Sequence, residues 1–330
     1  MNILEPVYGP FNLWFVGPCI GVDPLMAFRQ CDLDCIYCPF PELGSIRLPN
    51  LSYLKEHLQF LTKLFKDPST QVPNLIIAGP GEPARSPYLL ELIREIRSVL
   101  STATPRVQLI LATRNPTLLV KRPDFGIIAD ELDYVMVRLD AFSDKLFRSI
   151  YRPKVPLSAR TVEMALRLLA RRVKLLVEVL LMRGLSSPLN TDPLELRLLL
   201  ELIIDLSPEL VALSTPLWLE ASEEARPVDM QYLREVASIL ADYLGWGRLR
   251  VLGLIEEHGT VAARYEDPAK YLYNIVARFP LRIKEAEEFL GSKFRDALNN
   301  LVKTNMVKVR GGIICPSGSH GLSKGRDPTI

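Results

Sequence analysis

Three of the chain's five cysteines stand close together in the stretch Cys31-Asp32-Leu33-Asp34-Cys35-Ile36-Tyr37-Cys38-Pro39. An odd, clustered set does not read as a disulfide framework, and thiols gathered in this way read as metal ligands. The spacing Cys31-x3-Cys35-x2-Cys38 leaves two metal chemistries open. A structural zinc ion takes four ligands in a tetrahedron. Only one pair here has CxxC spacing, and the three histidines, His57, His258 and His320, place no second ligand pair beside it. Cys19, upstream of the loop, is the one thiol that could complete such a set. An iron–sulfur cube held by three thiolates instead keeps one iron open. An open position on a metal is where a substrate or cofactor binds, as in catalytic zinc sites.

The residues that must position this loop alternate between short β-like runs and longer helical ones. Strands are expected at Leu13-Trp14-Phe15-Val16, Asn74 to Ala78, Val107 to Ala112, Tyr134 to Leu139, Lys174 to Leu181 and Leu210 to Leu213. Between them, Leu51 to Phe65, Leu89 to Leu100, Asp144 to Ile150, Ser158 to Ala170 and Pro193 to Ile204 carry helical spacing. Alternating β and α units imply right-handed crossovers and a parallel sheet. About six units over residues 1–255 suit an α/β partial (β/α)6 barrel, whose function gathers at the C-terminal ends of the strands. The pattern changes near residue 260. Three short helices followed by a hairpin over 266–316 give the outline of a small winged-helix-like domain, and 317–330 read as a flexible polar tail.

Beyond the cysteines, several stretches at the ends of expected strands resemble elements of the radical S-adenosylmethionine (SAM) superfamily. The cysteine spacing with Tyr37 just before the last thiol is similar to that superfamily's signature. Ala78-Gly79-Pro80-Gly81-Glu82-Pro83 resembles its Gly-Gly-Glu-Pro element, with Pro80 where many members have Gly. Thr113-Arg114-Asn115-Pro116-Thr117 is similar to its Thr-Asn-Gly-Thr, Arg138-Leu139-Asp140-Ala141 to its Ser-Leu-Asp-Ala, and Met182-Arg183-Gly184-Leu185 to its Val-Lys-Gly-Leu. Through Val7-Tyr8-Gly9-Pro10, Gly21-Val22-Asp23-Pro24, Asp34-Cys35-Ile36-Tyr37-Cys38 and Leu213-Ser214-Thr215-Pro216 the chain resembles, over nearly its whole length, a wyosine-synthase-like group of iron–sulfur oxidoreductases within the superfamily. True wyosine-base synthases carry a second cysteine cluster upstream, where this chain has only Cys19.

The resemblance implies an enzyme. Cys31, Cys35 and Cys38 would hold a 4Fe–4S cluster, and its open iron would take the amine and carboxylate of SAM. Reductive cleavage would then give a 5′-deoxyadenosyl radical that abstracts hydrogen from a substrate, either a tRNA base or a small metabolite. The resemblance assigns cofactor contacts to Tyr37 (stacking near the adenine), Gly79, Pro80, Gly81 and Glu82 (the methionine ammonium), Thr113 and Asn115 (ribose or carboxylate), Asp140, and Arg138 and Arg183 (carboxylate). An ion pair with Glu178, Asp133 or Asp140 is the structural alternative for the two arginines. The electron would come from a donor such as ferredoxin or flavodoxin.

Composition narrows the partners. At 48% apolar and 24% charged the chain can bury a core of its own, and a net charge of +2 is too small to imply a polyanion partner for the whole chain. The most apolar stretches, Val173 to Met182 and Leu194 to Leu206, are short or interrupted by charge, whereas a bilayer span takes about 20 apolar residues. With no basic, apolar leader at the start, a cytoplasmic enzyme is expected. Residues 266–330 carry eleven Lys and Arg against seven Asp and Glu, so contact with nucleic acid through this module is the alternative function: a zinc or iron–sulfur redox sensor that binds nucleic acid. The Gly-Pro-Gly-Glu-Pro turn discriminates, because a sensor has no use for a methionine site.

Overall fold

The structure is a computed structural model that describes residues 4–26, 29–40, 49–66, 72–101, 103, 106–185, 187–217, 224–254 and 267–317. Strands β1 (Val7–Leu13) and β2 (Gly17–Val22) form an antiparallel hairpin. From β2 the sheet continues in parallel through β3 (Asn74–Ile77), β4 (Gln108–Thr113), β5 (Tyr134–Arg138) and β6 (Lys174–Leu180). Next come β7 (Met182–Arg183), β8 (Leu210–Ser214), β9 (Arg226–Pro227) and β10 (Leu249–Val251). The short β7 and β9 pair with each other, while β8 and β10 extend the parallel sheet. The order β1-β2-β3-β4-β5-β6-β8-β10 leaves its two edges unjoined, so the sheet is a partial barrel.

Helices α1 (Leu51–Lys66), α2 (Leu89–Leu100), α3 (Pro116–Val120), α4 (Phe125–Glu131), α5 (Asp144–Tyr151), α6 (Ala159–Ala170), α7 (Pro193–Leu206) and α8 (Met230–Leu244) fill the crossovers. Leu75, Ile76 and Ile77 are all fully buried although successive side chains point to opposite faces. Both faces of the strand are therefore covered, as a parallel sheet requires, and this is why the strands read as unbroken apolar runs. Among the described residues no helix is long and apolar enough to cross a membrane.

The first expected strand is corrected. Leu13-Trp14-Phe15-Val16 covers the end of β1 and the hairpin turn; the strands lie before and after Trp14-Phe15-Val16, and Gly17 restarts the chain at φ +93°. Aromatic and β-branched residues suggested a strand, but here they are apolar because the turn folds inward, with Phe15 buried. Strand β10 escaped notice because it is three residues long and follows the turn Trp246–Arg248.

After the barrel, α9 (Pro268–Val276), β11 (Leu281–Arg282), α10 (Ile283–Leu290), α11 (Phe294–Lys303), β12 (Val307–Arg310) and β13 (Ile313–Pro316) make a small module, whose strands pair antiparallel in the order β11-β13-β12. The expected tail lies outside the described residues except for its first member, Ser317. The module is bolted to the barrel just beyond α9. Arg278, wholly buried, donates from Nε to Asp23 Oδ2 at 3.0 Å, at the C-terminal end of β2. Its other nitrogens reach Asn274 O at 2.8 Å and Glu5 O at 2.6 Å, and the guanidinium lies 4.7 Å from the Tyr8 ring centroid. Asp23 Oδ1 accepts the Leu25 amide at 2.9 Å. Tyr8, Phe11 and Phe279 stack around the pair. A Cβ on Gly79 would come within 2.5 Å of Asp23 Oδ1, so only glycine lets that carboxylate approach.

Removing one partner of a buried pair strands the other charge in the interior. Asp23→Asn or Arg278→Met should therefore lower stability by about 3–5 kcal/mol in equilibrium denaturant unfolding. A loss under about 1 kcal/mol would show that this pair does not hold the module in place.

Candidate cluster and ligand site

The cysteine loop lies across the end of α5. A helix leaves its last carbonyls without intrahelical partners, and the loop supplies the missing donors. The Ile36 amide bonds Ile150 O at 2.9 Å and the Asp34 amide bonds Tyr151 O at 2.9 Å. Arg152 ends the helix in the left-handed region, at φ +44°. A bridge between Leu33 and Pro153, and a bond from Lys154 N to Asp32 O at 2.7 Å, continue the seam. The Cys38 amide bonds Cys35 O at 3.0 Å, which closes a turn between these two thiols.

Cys31, Cys35 and Cys38 are free and half-buried. They are near enough that Cys31 and Cys38 each raise the Cys35 pKa. Burial is the main cause of the upward shifts, taking the Cys31 thiol to about 11 and the Cys35 thiol higher still. Two cations stand close by. Arg29, bonded to Asp34 at 2.8 Å, lies near Cys38 and Cys31, and Arg114 pulls the Cys31 pKa down. Among the described residues no three His, Cys, Asp or Glu side chains converge as ligands of one ion. A cube that takes each thiolate on a different iron makes no such demand.

Glu82 is the hinge between this loop and the sheet. It follows β3 and is fully buried. Its Oε1 accepts the Thr113 hydroxyl at 2.9 Å and the Ala84 amide at 3.1 Å; its Oε2 accepts the Arg114 and Asn115 amides at 2.7 and 2.9 Å. Burial pushes its pKa up, and the four donors pull against that rise. A carboxylate offers about four acceptor positions, so none is left for an incoming ammonium. Thr113 and Asn115 are likewise engaged inside the protein. Asn115 caps α3 through Leu118 N at 3.3 Å and donates to Asp32 Oδ2 at 2.8 Å. Asp32 also pairs with Arg85, and the Glu82 amide bonds Gln30 O at 2.8 Å. In this structure the side chains of Glu82, Thr113 and Asn115, expected to contact ligand, are bonded to one another's segments and to Asp32. Gly79, Pro80 and Gly81 are buried in the same turn.

A second node stands at the end of β5. Asp140, fully buried, accepts the Tyr37 hydroxyl at 2.7 Å and the Leu180 amide at 2.7 Å, while its own amide donates to the Tyr151 hydroxyl at 2.7 Å. Burial raises its pKa to about 6, against the pull of Arg138. Tyr37 is buried, and the Arg138 guanidinium sits 5.3 Å from its ring centroid. Arg138 itself is paired with Glu178, its register neighbour on β6, which is the ion pair weighed from sequence.

Arg183 is not part of this site. Its guanidinium lies 5.0 Å from the Tyr232 ring centroid, in a surface depression with Gly184 and Pro188. This stretch forms the short β7, which pairs antiparallel with β9, Arg183 standing opposite Arg226. Arg114 and Tyr151 belong to the site although sequence reasoning assigned them no role, and Asp32, read from sequence as a loop-geometry or solvated residue, is buried and bonded to Asn115 and Arg85. Arg114 lay inside the quoted Thr-Arg-Asn-Pro-Thr stretch, but no local pattern says which of those side chains faces inward. His57 bonds Tyr53 O at 2.9 Å within α1 and holds no ligand position.

Beside the loop, a small cavity of about 110 Å3, open in part to solvent, lies at the C-terminal ends of the strands. Barrel residues such as Arg114, Arg138 and Thr215 form one wall, and Phe279, Arg282 and Ile313 of the C-terminal module form the other. Pro39 and Phe40, directly after the last cysteine, and Trp14 of the hairpin turn close the rim.

No family model matches the chain. It is 30% identical over 163 residues to a UPF0026 protein of Synechocystis sp., covering 46% of this chain and 55% of that protein. With a UPF0026 protein of Helicobacter pylori strain J99 it shares 28% over 214 residues, 64% of this chain and 66% of that one. The chain thus spans between about half and two thirds of the length of these relatives. Among solved structures it resembles native anSMEcpe with bound AdoMet, at a TM-score of 0.51 and 13% identity over 71% of this chain and 64% of that one. A radical SAM methyltransferase from Sphaerobacter thermophilus gives a TM-score of 0.46 at 15% identity, over 73% and 66% of the two chains. At 13% identity the likeness to anSMEcpe is one of fold.

The Asp140 carboxyl titrates at about 6 when folded and near 3.9 when unfolded. Its folded pKa is the higher, so the stability it contributes is complete below about pH 4 and is lost as pH rises through about 6. Measured without cofactors, wild type should lose on the order of 3 kcal/mol relative to Asp140→Asn between pH 4 and 7. Parallel pH profiles for the two proteins would contradict the burial assigned to this group.

Proposed function

We propose that this chain, which has the partial-barrel fold of the radical SAM superfamily, is a radical SAM enzyme whose cluster is held by Cys31, Cys35 and Cys38. The observation that carries the reading is the placement of the loop. Three half-buried thiols, presented from the end of α5, stand at the C-terminal mouth of a parallel sheet and beside a cavity between barrel and C-terminal module. The donor set fits a 4Fe–4S cluster: three thiols on one short loop, with Arg29 and Arg114 to balance its charge. When bound, such a cluster supplies the electron that reductively cleaves SAM to a 5′-deoxyadenosyl radical, with an outside donor such as ferredoxin or flavodoxin reducing it.

The protein's own part is to bind, orient and exclude water. The loop is held on two sides, by the α5 carbonyls and by the Asp32–Asn115 and Gln30–Glu82 bonds. Ligand spacing is therefore set by the same bonds that join β3 to β4. Backbone atoms of Gly79 to Gly81, rather than the occupied Glu82 side chain, are left to meet a methionine ammonium. The Arg138–Glu178 pair and the Tyr37–Asp140 bond form the polar wall between loop and cavity. Apolar and aromatic residues on the opposite side, among them Trp14, Phe40 and Phe279, keep the space poor in water, which a reactive radical requires.

Anaerobic reconstitution of wild type should give a brown protein with about four irons per chain. Cys31→Ala, Cys35→Ala and Cys38→Ala should each lose most of that iron and the colour, while Cys19→Ala, at a buried site bonded to Gly17 O, should keep both. A colourless wild type holding one zinc per chain would rule the reading out.

A further inference from the structure

The cysteine loop has two sides. Pro39 and Phe40 rim the cavity, whereas residues 32–36 lie on the end of α5 and the turn after it, and no residue of α5 or of that turn lines the cavity. The strip on this second side is unevenly charged. Over the whole chain 40 Lys and Arg nearly balance 38 Asp and Glu, but residues 145–154 hold Lys145, Arg148, Arg152 and Lys154 and no Asp or Glu. All four are exposed. Lys145 and Arg148 stand one turn apart on α5 and share a face, Arg152 is its left-handed cap, and Lys154 follows. Arg148 and Arg152 complement the C-terminal end of the helix dipole, but Lys145 in the first turn and Lys154 beyond the helix do not. Carboxylates that touch this region are already engaged: Asp144 with the Ala159 amide at 2.7 Å, Asp34 with Arg29, and Glu224 with Arg152.

The strip is tied to the thiols themselves. Ile150 O and Tyr151 O accept the amides of Ile36 and Asp34, the two residues that flank Cys35, and the Lys154 amide donates to the carbonyl of Asp32, next to Cys31. A macromolecule settled on these cations therefore rests against the ligand loop, on the side that does not line the cavity. A substrate has to reach the cavity, whereas a source of electrons has only to come close to the ligand loop. We propose that residues 145–154 are the docking surface for the electron donor, an acidic protein carrying a one-electron iron–sulfur or flavin group. This rests on the enzyme reading and names the face that its reductant uses. In the transfer the reduced donor loses one electron and the cluster held by the loop gains it; no bond forms or breaks. Exposed charges of this kind steer encounter and make it dependent on salt.

The test uses the full, anaerobically reconstituted chain and two acidic probes, a plant-type 2Fe–2S ferredoxin and a flavodoxin. A water-soluble carbodiimide, which joins a carboxylate to a lysine amine in contact with it, should cross-link at least one probe to Lys145 and Lys154. Peptide mass spectrometry reads this on wild type, so the result does not depend on how any variant folds. In calorimetric titration Lys145→Glu with Arg148→Glu should weaken that probe about tenfold at low salt, with a smaller deficit as salt rises. Lys145→Arg should bind as wild type, and so should Arg295→Glu on the exposed face of α11. Binding of neither probe, cross-links that map only elsewhere, or equal affinity in wild type and the double variant would overturn the assignment. So would a transfer RNA that loses affinity in the double variant while neither probe does, because the strip then holds a nucleic acid. The two readings fail separately. Wild type that docks a probe on the strip but gives no 5′-deoxyadenosine with dithionite sinks the enzyme reading and leaves the docking surface; wild type that gives it yet binds the probes elsewhere sinks only this inference.

Discussion

One buried carboxylate sets the geometry on which the site depends. Glu82 accepts four hydrogen bonds from residues after β3 and β4, so two neighbouring strand ends are held in a fixed relation without any contact to solvent. The cysteine loop is hung from the same node, through Gln30 to the Glu82 amide and through Asp32 to Asn115. Burying a carboxylate is costly unless its acceptors are filled, and here they are. The consequence is a structural joint: all four acceptor positions of this side chain are taken up inside the protein.

A similar economy appears at the end of β5. Asp140 joins the loop, through Tyr37, to β6, through Leu180, and to α5, through Tyr151. Asn190 adds bonds to Asp140 O and Leu180 O at 3.0 and 2.7 Å. Three separate segments therefore meet on one residue, two at its carboxylate and one at its backbone amide, and the loop that presents the thiols cannot shift without disturbing the sheet. Such over-determination is what a site needs when ligand spacing must match a rigid inorganic group.

Much of this architecture is legible in the residues alone. Unbroken apolar runs such as Leu75-Ile76-Ile77 mark doubly covered strands, and Gly and Pro mark where they end. The thiol spacing and the Gly-Pro-Gly-Glu-Pro turn locate the site. What stays hidden is direction. Nothing local distinguishes an Arg that faces inward, such as Arg114, from one that lies on an outer tyrosine, such as Arg183. The inward hairpin turn at Trp14-Phe15 reads as a strand because aromatic residues are apolar for either reason. Arg278 is the hardest case: at the end of an ordinary amphipathic helix, only tertiary structure reveals that it is fully buried against Asp23.

The module that follows the barrel completes the cavity rather than hanging from it. Its three helices and three-stranded sheet put Phe279, Arg282 and Ile313 against the strand ends, so a ligand there touches both parts of the chain. The central claim, that the loop and this cavity together carry out radical chemistry on SAM, is tested most directly by one measurement. Reconstituted protein is reduced with dithionite under anaerobic conditions in the presence of SAM, and 5′-deoxyadenosine is quantified by liquid chromatography. Accumulation of 5′-deoxyadenosine by wild type and none by Cys35→Ala is the predicted result. Equal, background-level amounts from both proteins, with the iron in place in wild type, would contradict it.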